Sequence, residues 1–162
     1  MLRAVRFCAQ LDFTLDDEVF GAIKRLSKNI LKISAERIRD ELLKILTAPN
    51  PVSGVRLLSE TGLLYLVLPE VHNLWNFSQK SQWHTLDVFE HTLDVLQKMS
   101  VLTPDPILRL AALLHDIGKA KTRTIDEDKH YHFYKHDLVG SEMAYEVCER
   151  LKLSNANRKK VV

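Results

Sequence analysis

Most of the chemistry available to this 162-residue chain sits in seven histidines and their neighbouring carboxylates, and all seven histidines fall between His72 and His136. The densest group closes the stretch "LRLAALLHDIGKAK", where His115 and Asp116 stand side by side, followed by Gly118 and Lys119. A helix that is apolar nearly all round has no packing need for an imidazole and a carboxylate at its tip. Two other segments repeat the theme: "WHTLDVFEHTLDVLQKM" carries His84, Asp87 and His91, and "HYHFYKHDLVGSEMAYEVCERL" carries His130, His132 and His136. Neutral imidazole nitrogen together with carboxylate oxygen suits a divalent cation, either Mg²⁺ or a transition metal. His91, His115 and Asp116 are the candidate ligands, with His136 as a fourth or as a ligand to a second ion.

A single His-Asp pair at a helix end is more often a cap on the helix dipole than a metal site. Three separate segments that each offer such groups beside a core favour the metal. His84, Asp87 and His91 recur at i, i+3 and i+7, so they share one helical face. Val88 and Val95 flank His91 at three and four residues and draw its ring inward. Asp87 either orients the imidazole of His91 through its second nitrogen or is a solvated helix acid, and His84 belongs to the same supporting layer. His130 and His132 lie in a polar loop and read as surface residues.

The elements that must hold these groups are helical, because almost every segment has a helical period and none alternates long enough to suggest a strand. The fold class is all-α. A first helix spans about Met1 to Leu11. A second opens after Thr14 as N-cap, with Asp16, Asp17 and Glu18 at its positive end and Phe20, Ile23 and Ile30 as its buried stripe. A third begins at Ser34, buries Ile38, Leu42 and Ile45, and stops at Pro49 and Pro51. A short fourth helix, about Val55 to Glu60, ends at Gly62, and "LLYLVLPEV" forms a compact apolar element.

Beyond it, "NFSQKSQ" reads as a loop. The histidine-bearing helices follow, one with Leu86, Phe89, Leu93 and Leu96 buried and the next from about Asp105 to Ile117. Gly118 suits a left-handed C-terminal cap, and Gly140 allows close approach of a backbone or ligand. The last helix buries Ala144, Val147, Cys148 and Leu151. The change in histidine content places a domain boundary near residues 69–80, giving residues 1–70 and 71–162.

Composition narrows the class without choosing the partner. With 46% apolar and 27% charged residues the chain can bury a core, and a net charge of +2 leaves any nucleic-acid binding to a local basic face. Cys8 and Cys148 sit in apolar helical patterns and read as buried thiols of a reducing compartment, which points to the cytoplasm. The longest apolar run, Leu63 to Leu68, is far short of the roughly 20 residues a membrane span needs. The opening "MLRAVRFCAQL" has a transit-peptide look, but Asp12, Asp16, Asp17 and Glu18 follow at once, so it reads as a folded helix.

Three stretches, "FEHTLDVL", "LAALLHDIGK" and "FYKHDLVGSE", resemble the HD domain of metal-dependent phosphohydrolases, in the version found behind the catalytic head of bacterial tRNA nucleotidyltransferases and poly(A) polymerases. "MLRAVRFCAQLDF" and "KISAERIRDELLKIL" resemble the helical neck of the same family. The order, neck then HD domain, runs over nearly the whole chain. The resemblance implies a parent that adds nucleotides to a tRNA or RNA 3′ end, with a head domain carrying the catalytic aspartates and a Glu-Asp-x-x-Arg motif ahead of "MLRAVRF". No Asp-x-Asp or Gly-Ser pair opens this chain, so nucleotide addition is not expected of it alone. The family also implies a metal ligand on a later helix, whereas no Asp or His follows Glu149 here.

For the HD part, the resemblance implies phosphoester hydrolysis, with His136 and Lys119 placed to receive the phosphate's charge. For the neck it implies an RNA-facing role. Arg3, Arg6, Lys24, Arg25, Lys28, Lys32, Arg37 and Arg39 form a positive cluster, in which Lys24, Lys28 and Lys32 are as readily solvated helix faces, while Arg3, Arg6, Arg37 and Arg39 are candidates to contact RNA or support the nucleotide pocket. The expected partners are thus an RNA 3′ end, nucleotides and a head domain, with no membrane. The alternative is a free-standing HD-type phosphohydrolase acting on nucleotides or cyclic phosphates.

Overall fold

In a computed structural model, which describes residues 1–75, 87–127 and 130–162, the chain is a stack of helices around one continuous apolar core. The "NFSQKSQ" loop, His84 and Leu86 lie outside the described residues. The N-terminal helices are α1 (Leu2–Leu11), α2 (Asp17–Leu26), α3 (Ala35–Leu46), α4 (Pro51–Glu60), α5 (Leu63–Val67) and α6 (Pro69–His72). The later ones are α7 (Val88–Leu102), α8 (Pro106–Leu114), α9 (Lys119–Thr122), α10 (His136–Arg150) and α11 (Asn155–Val161). Among the described residues no helix is long and apolar enough to cross a membrane.

Local chemistry explains most boundaries, and corrects four expected ones. Asp16, not Thr14, caps α2, its carboxylate accepting from the Glu18 amide at 2.9 Å. The helix ends at Leu26, and residues 27–32 continue as a tighter 3₁₀ turn that buries Ile30. Pro51 does not merely stop α3; it opens α4 at the first helical position, where a missing N–H costs nothing, with Asn50 as cap. The helix α7 begins at Val88 with Asp87 as N-cap, so Asp87 stands at its start rather than inside a helical face. The expected break at Gly62 is present before α5, and the glycine takes a left-handed conformation there, at φ 74°.

A small hairpin pairs β1 (Thr124–Ile125) with β2 (Tyr131–His132), antiparallel. Strands of two residues are too short to leave a period in the sequence. Both cysteines are free and buried, at 8% exposure for Cys8 and 0% for Cys148. Burial pushes both thiols up.

The core joins the two halves of the chain. The α3 helix packs on α8, and α4 on α7. Arg109, only 6% exposed, ties the junction. Its guanidinium donates to the carbonyls of Leu46 at 2.7 Å, Ser100 at 2.8 Å and Thr103 at 2.8 Å. Those carbonyls end α3 and α7, where helix dipoles are negative and intrahelical partners run out. Burial lowers the pKa of Arg109. The arginine therefore anchors the start of α8, whose far end carries His115 and Asp116.

Candidate metal centre

The centre forms where three segments meet. The α8 helix ends at Leu114, and residues 115–118 form a turn. Leu110, Leu113 and Ile117, each 0% exposed, bury that turn's apolar side and leave His115 at the surface with Asp116 beneath it at 4% exposure. His91 comes from the first turn of α7, which packs along α8. His136 opens α10.

His115 Nε2 lies 3.3 Å from His91 Nε2 and 3.2 Å from Asp116 Oδ2, and His91 Nε2 is 3.6 Å from the same oxygen. The three ligand atoms are all within 4.8 Å of one another, and this is the one such group among the described residues. His136 Nε2 stands 3.8 Å from the other oxygen, Oδ1.

Backbone carbonyls fix the ring tautomers. His115 Nδ1 meets the Ala112 carbonyl at 2.8 Å and His136 Nδ1 meets the Phe133 carbonyl at 2.8 Å. A carbonyl can only accept, so each Nδ1 carries the proton and each Nε2 is turned to the cluster. Burial opposes ionisation of Asp116, but hydrogen bonds and charge from His115 and Lys119 outweigh it and hold the carboxyl well below the usual range. Burial likewise opposes a charge on His115, and Asp116 overcomes it, raising the imidazole's pKa. Two imidazole nitrogens and one carboxylate oxygen facing one point are a donor set that fits a divalent cation.

The other expected residues fall in varied places. Lys119, 9% exposed, points its ammonium at Asp116 Oδ2 at 2.7 Å. Asp87 accepts from the Phe89 amide at 2.8 Å as helix cap. His130 and His132 gather around Asp126 on the hairpin, with His132 Nε2 2.8 Å from the carboxylate. Gly118 is not a left-handed cap, since its φ is −65°. Its lack of a side chain serves close packing instead, because a Cβ there would lie 2.1 Å from the His136 carbonyl and 2.7 Å from the Gly140 amide.

On the neck side, Arg3 and Arg37 are exposed. Arg6 pairs with Glu41 at 3.2 Å, and Arg39 reaches the Lys152 carbonyl at 2.7 Å while bonding Asp40. Arg109 had escaped the sequence reading. Its only signal was a lone charge within an otherwise apolar helix.

The geometry matches what comparison with known proteins finds. Residues 88–162 match the HD domain family, and residues 12–74 match the family described as the probable RNA- and SrmB-binding site of polymerase A. The chain thus joins an RNA-binding type of segment to an HD domain. It belongs to the bacterial tRNA nucleotidyltransferase/poly(A) polymerase family, of which it carries the neck and HD regions.

Relatives of nearly full coverage of this chain include the A-adding tRNA nucleotidyltransferase of Deinococcus radiodurans, 38% identical over 98% of the chain. The multifunctional CCA proteins of Shewanella denitrificans and Neisseria gonorrhoeae are 32% and 36% identical over 98% and 94% of it. The chain spans 38%, 39% and 37% of the length of these three relatives.

Proposed function

We propose that this chain acts as the RNA-binding neck, residues 1–70, and metal-dependent HD domain, residues 71–162, of tRNA 3′-end processing, working with a nucleotide-adding head. The observation that carries the reading is the convergence of His91, His115 and Asp116 from two helices onto one point. They would hold a divalent cation, which when bound polarises a phosphoryl oxygen and lowers the pKa of its water.

The chain's own residues do the rest. His136, with Nδ1 fixed on the Phe133 carbonyl, presents Nε2 to an anionic phosphoester and can hold or pass a proton there. Arg3 and Arg37, exposed on the neck, contact RNA phosphates. Arg6 and Arg39 act through the fold, tying α3 to α1 and to the segment after α10.

The test measures anisotropy of labelled tRNA against salt, together with nucleotide incorporation. Binding falls steeply between about 50 and 200 mM salt, weakens in the Arg3→Ala/Arg37→Ala double variant, and brings no incorporation from ATP and CTP with Mg²⁺ by the chain alone. Salt-insensitive binding, or robust incorporation, overturns the reading.

A further inference from the structure

The cluster already contains a cation of its own. Asp116 Oδ2 is the atom on which both imidazoles converge, at 3.2 Å from His115 and 3.6 Å from His91, and Lys119 Nζ lies 2.7 Å from that same oxygen. Carboxylate and ammonium are both shielded from water, at 4% and 9% exposure, and the Phe133 ring centroid lies 5.6 Å from the ammonium. Lys119 is therefore not extended toward solvent, where an incoming phosphate would meet it.

We propose that Lys119 is the resident counter-ion of Asp116 and sets how tightly this site takes a divalent cation. The inference rests on the metal-site reading above and concerns the affinity of that site. A buried carboxylate without a partner is costly, so in the absence of metal the ammonium 2.7 Å away supplies the opposite charge beside Asp116. A divalent ion approaching Oδ2 meets an oxygen with one lone pair engaged and a positive charge a few ångströms away, where little water screens the repulsion.

Lys119 also helps to position the carboxylate, which acts in the opposite direction. Repulsion prevails because contacts other than the Lys119 ammonium also hold Asp116. Its neighbour Ile117 is 0% exposed, its carbonyl accepts from the Lys119 backbone amide at 3.0 Å, and His115 contacts its side chain. Removing the side-chain charge leaves that scaffold intact and a buried anion in need of a cation. Lys119 is thus a specificity-determining and positioning residue: weakly attracted cations do not displace it, and a strongly coordinating one shares the carboxylate with it.

The experiment titrates Ni²⁺ and Mn²⁺ into the wild-type chain, Lys119→Met, Lys119→Arg and His115→Ala, by calorimetry and by the shift of the thermal midpoint. Lys119→Met has a lower midpoint without metal, binds Ni²⁺ at least about tenfold more tightly than wild type, and regains most of the lost midpoint when loaded. Lys119→Arg, which keeps the charge, stays within about threefold of wild type. Should Lys119→Met fail to fold, Lys119→Gln removes the charge with a polar group in place and gives the same reading. Affinity unchanged or weakened in the charge-removing variant overturns the proposal, while loss of binding in His115→Ala still supports the metal site. Absence of binding in folded wild type and charge-removing variant alike overturns both.

Discussion

Two histidine–aspartate clusters built from the same side chains behave differently in this molecule. Around Asp116 the partners arrive from α7, the end of α8 and α10, with His91 and His136 45 residues apart in sequence, and the carboxylate side chain is 5% exposed. Around Asp126 the partners are His130 and His132, all within seven residues on one hairpin, and the carboxylate side chain is 35% exposed. His132 stacks on Tyr134 at 5.3 Å, and the side chains of the group stay between about a third and a half exposed. The hairpin cluster is a local turn device whose groups water can serve equally well. The α8 cluster places donors where water is scarce and geometry is imposed from three sides, which is the condition for a tight ion site. Residue type is shared by both, and convergence belongs to one.

The sharpest way to break this comparison is to remove each carboxylate in turn. Asp116→Ala lowers Ni²⁺ or Mn²⁺ affinity by at least about a hundredfold, whereas Asp126→Ala leaves it within about twofold, both read by calorimetry on folded protein. Equal losses would place the ion on the hairpin or spread it over both.

Next in size is Gly118→Ala. The new Cβ would lie 2.1 Å from a backbone oxygen that cannot move without displacing α10, so a loss of about 3 kcal/mol is expected. A thermal midpoint lowered by roughly 6–12 °C checks it, and Thr124→Ala on the hairpin should change stability by less than about 0.5 kcal/mol. An unchanged midpoint in Gly118→Ala means the α9–α10 approach is looser than the structure has it.

Arg109→Met tests the support beneath the buried cluster. It strips three carbonyls of their donor and should cost about 2 kcal/mol, seen in urea unfolding. Because α8 loses its anchor, hydrogen exchange at Leu113 and Leu114 should quicken while the hairpin amides do not change.

The smallest effect is acid titration of the hairpin. The His132 hydrogen bond, and then the His130 amide, hold the Asp126 carboxyl below its ordinary value. A carboxyl depressed on folding contributes stability above its unfolded pKa of about 3.9, and that contribution fades as pH falls through the folded value. The cluster should therefore persist at neutral pH and open only in acid, with the carboxyl ¹³C shift of Asp126 as monitor. A midpoint at or above the ordinary value would mean the hydrogen bond does not form in solution.

Much of this was legible in the residues themselves. Helical periods, Ser34 before α3, the break at Gly62 and the apolar faces of α3, α8 and α10 depend on neighbours within a turn or two, and such local preferences act before any tertiary contact exists. The His115-Asp116 turn was visible for the same reason: a charged pair closing an apolar helix conflicts with its surroundings at short range. Where a competing local signal existed the reading slipped by a few residues, as when Asp16 rather than Thr14 took the cap and Pro51 opened a helix as well as closing one.

What only the tertiary structure decided are the pairings between distant segments. Arg109 and Leu46 are 63 residues apart, and Arg39 and Lys152 are 113 apart; neither arginine's place in the sequence names the distant carbonyl it reaches. Lys119 could have faced a substrate or a carboxylate, and the burial of Asp116 chose the carboxylate. Gly118 and Gly140 look like two unrelated flexible positions until α9 and α10 meet there. Periodicity fixes which face of a helix is apolar, but the contact of one face with another depends on how the whole set of helices fills the core without voids, and that packing is a property of all the side chains at once.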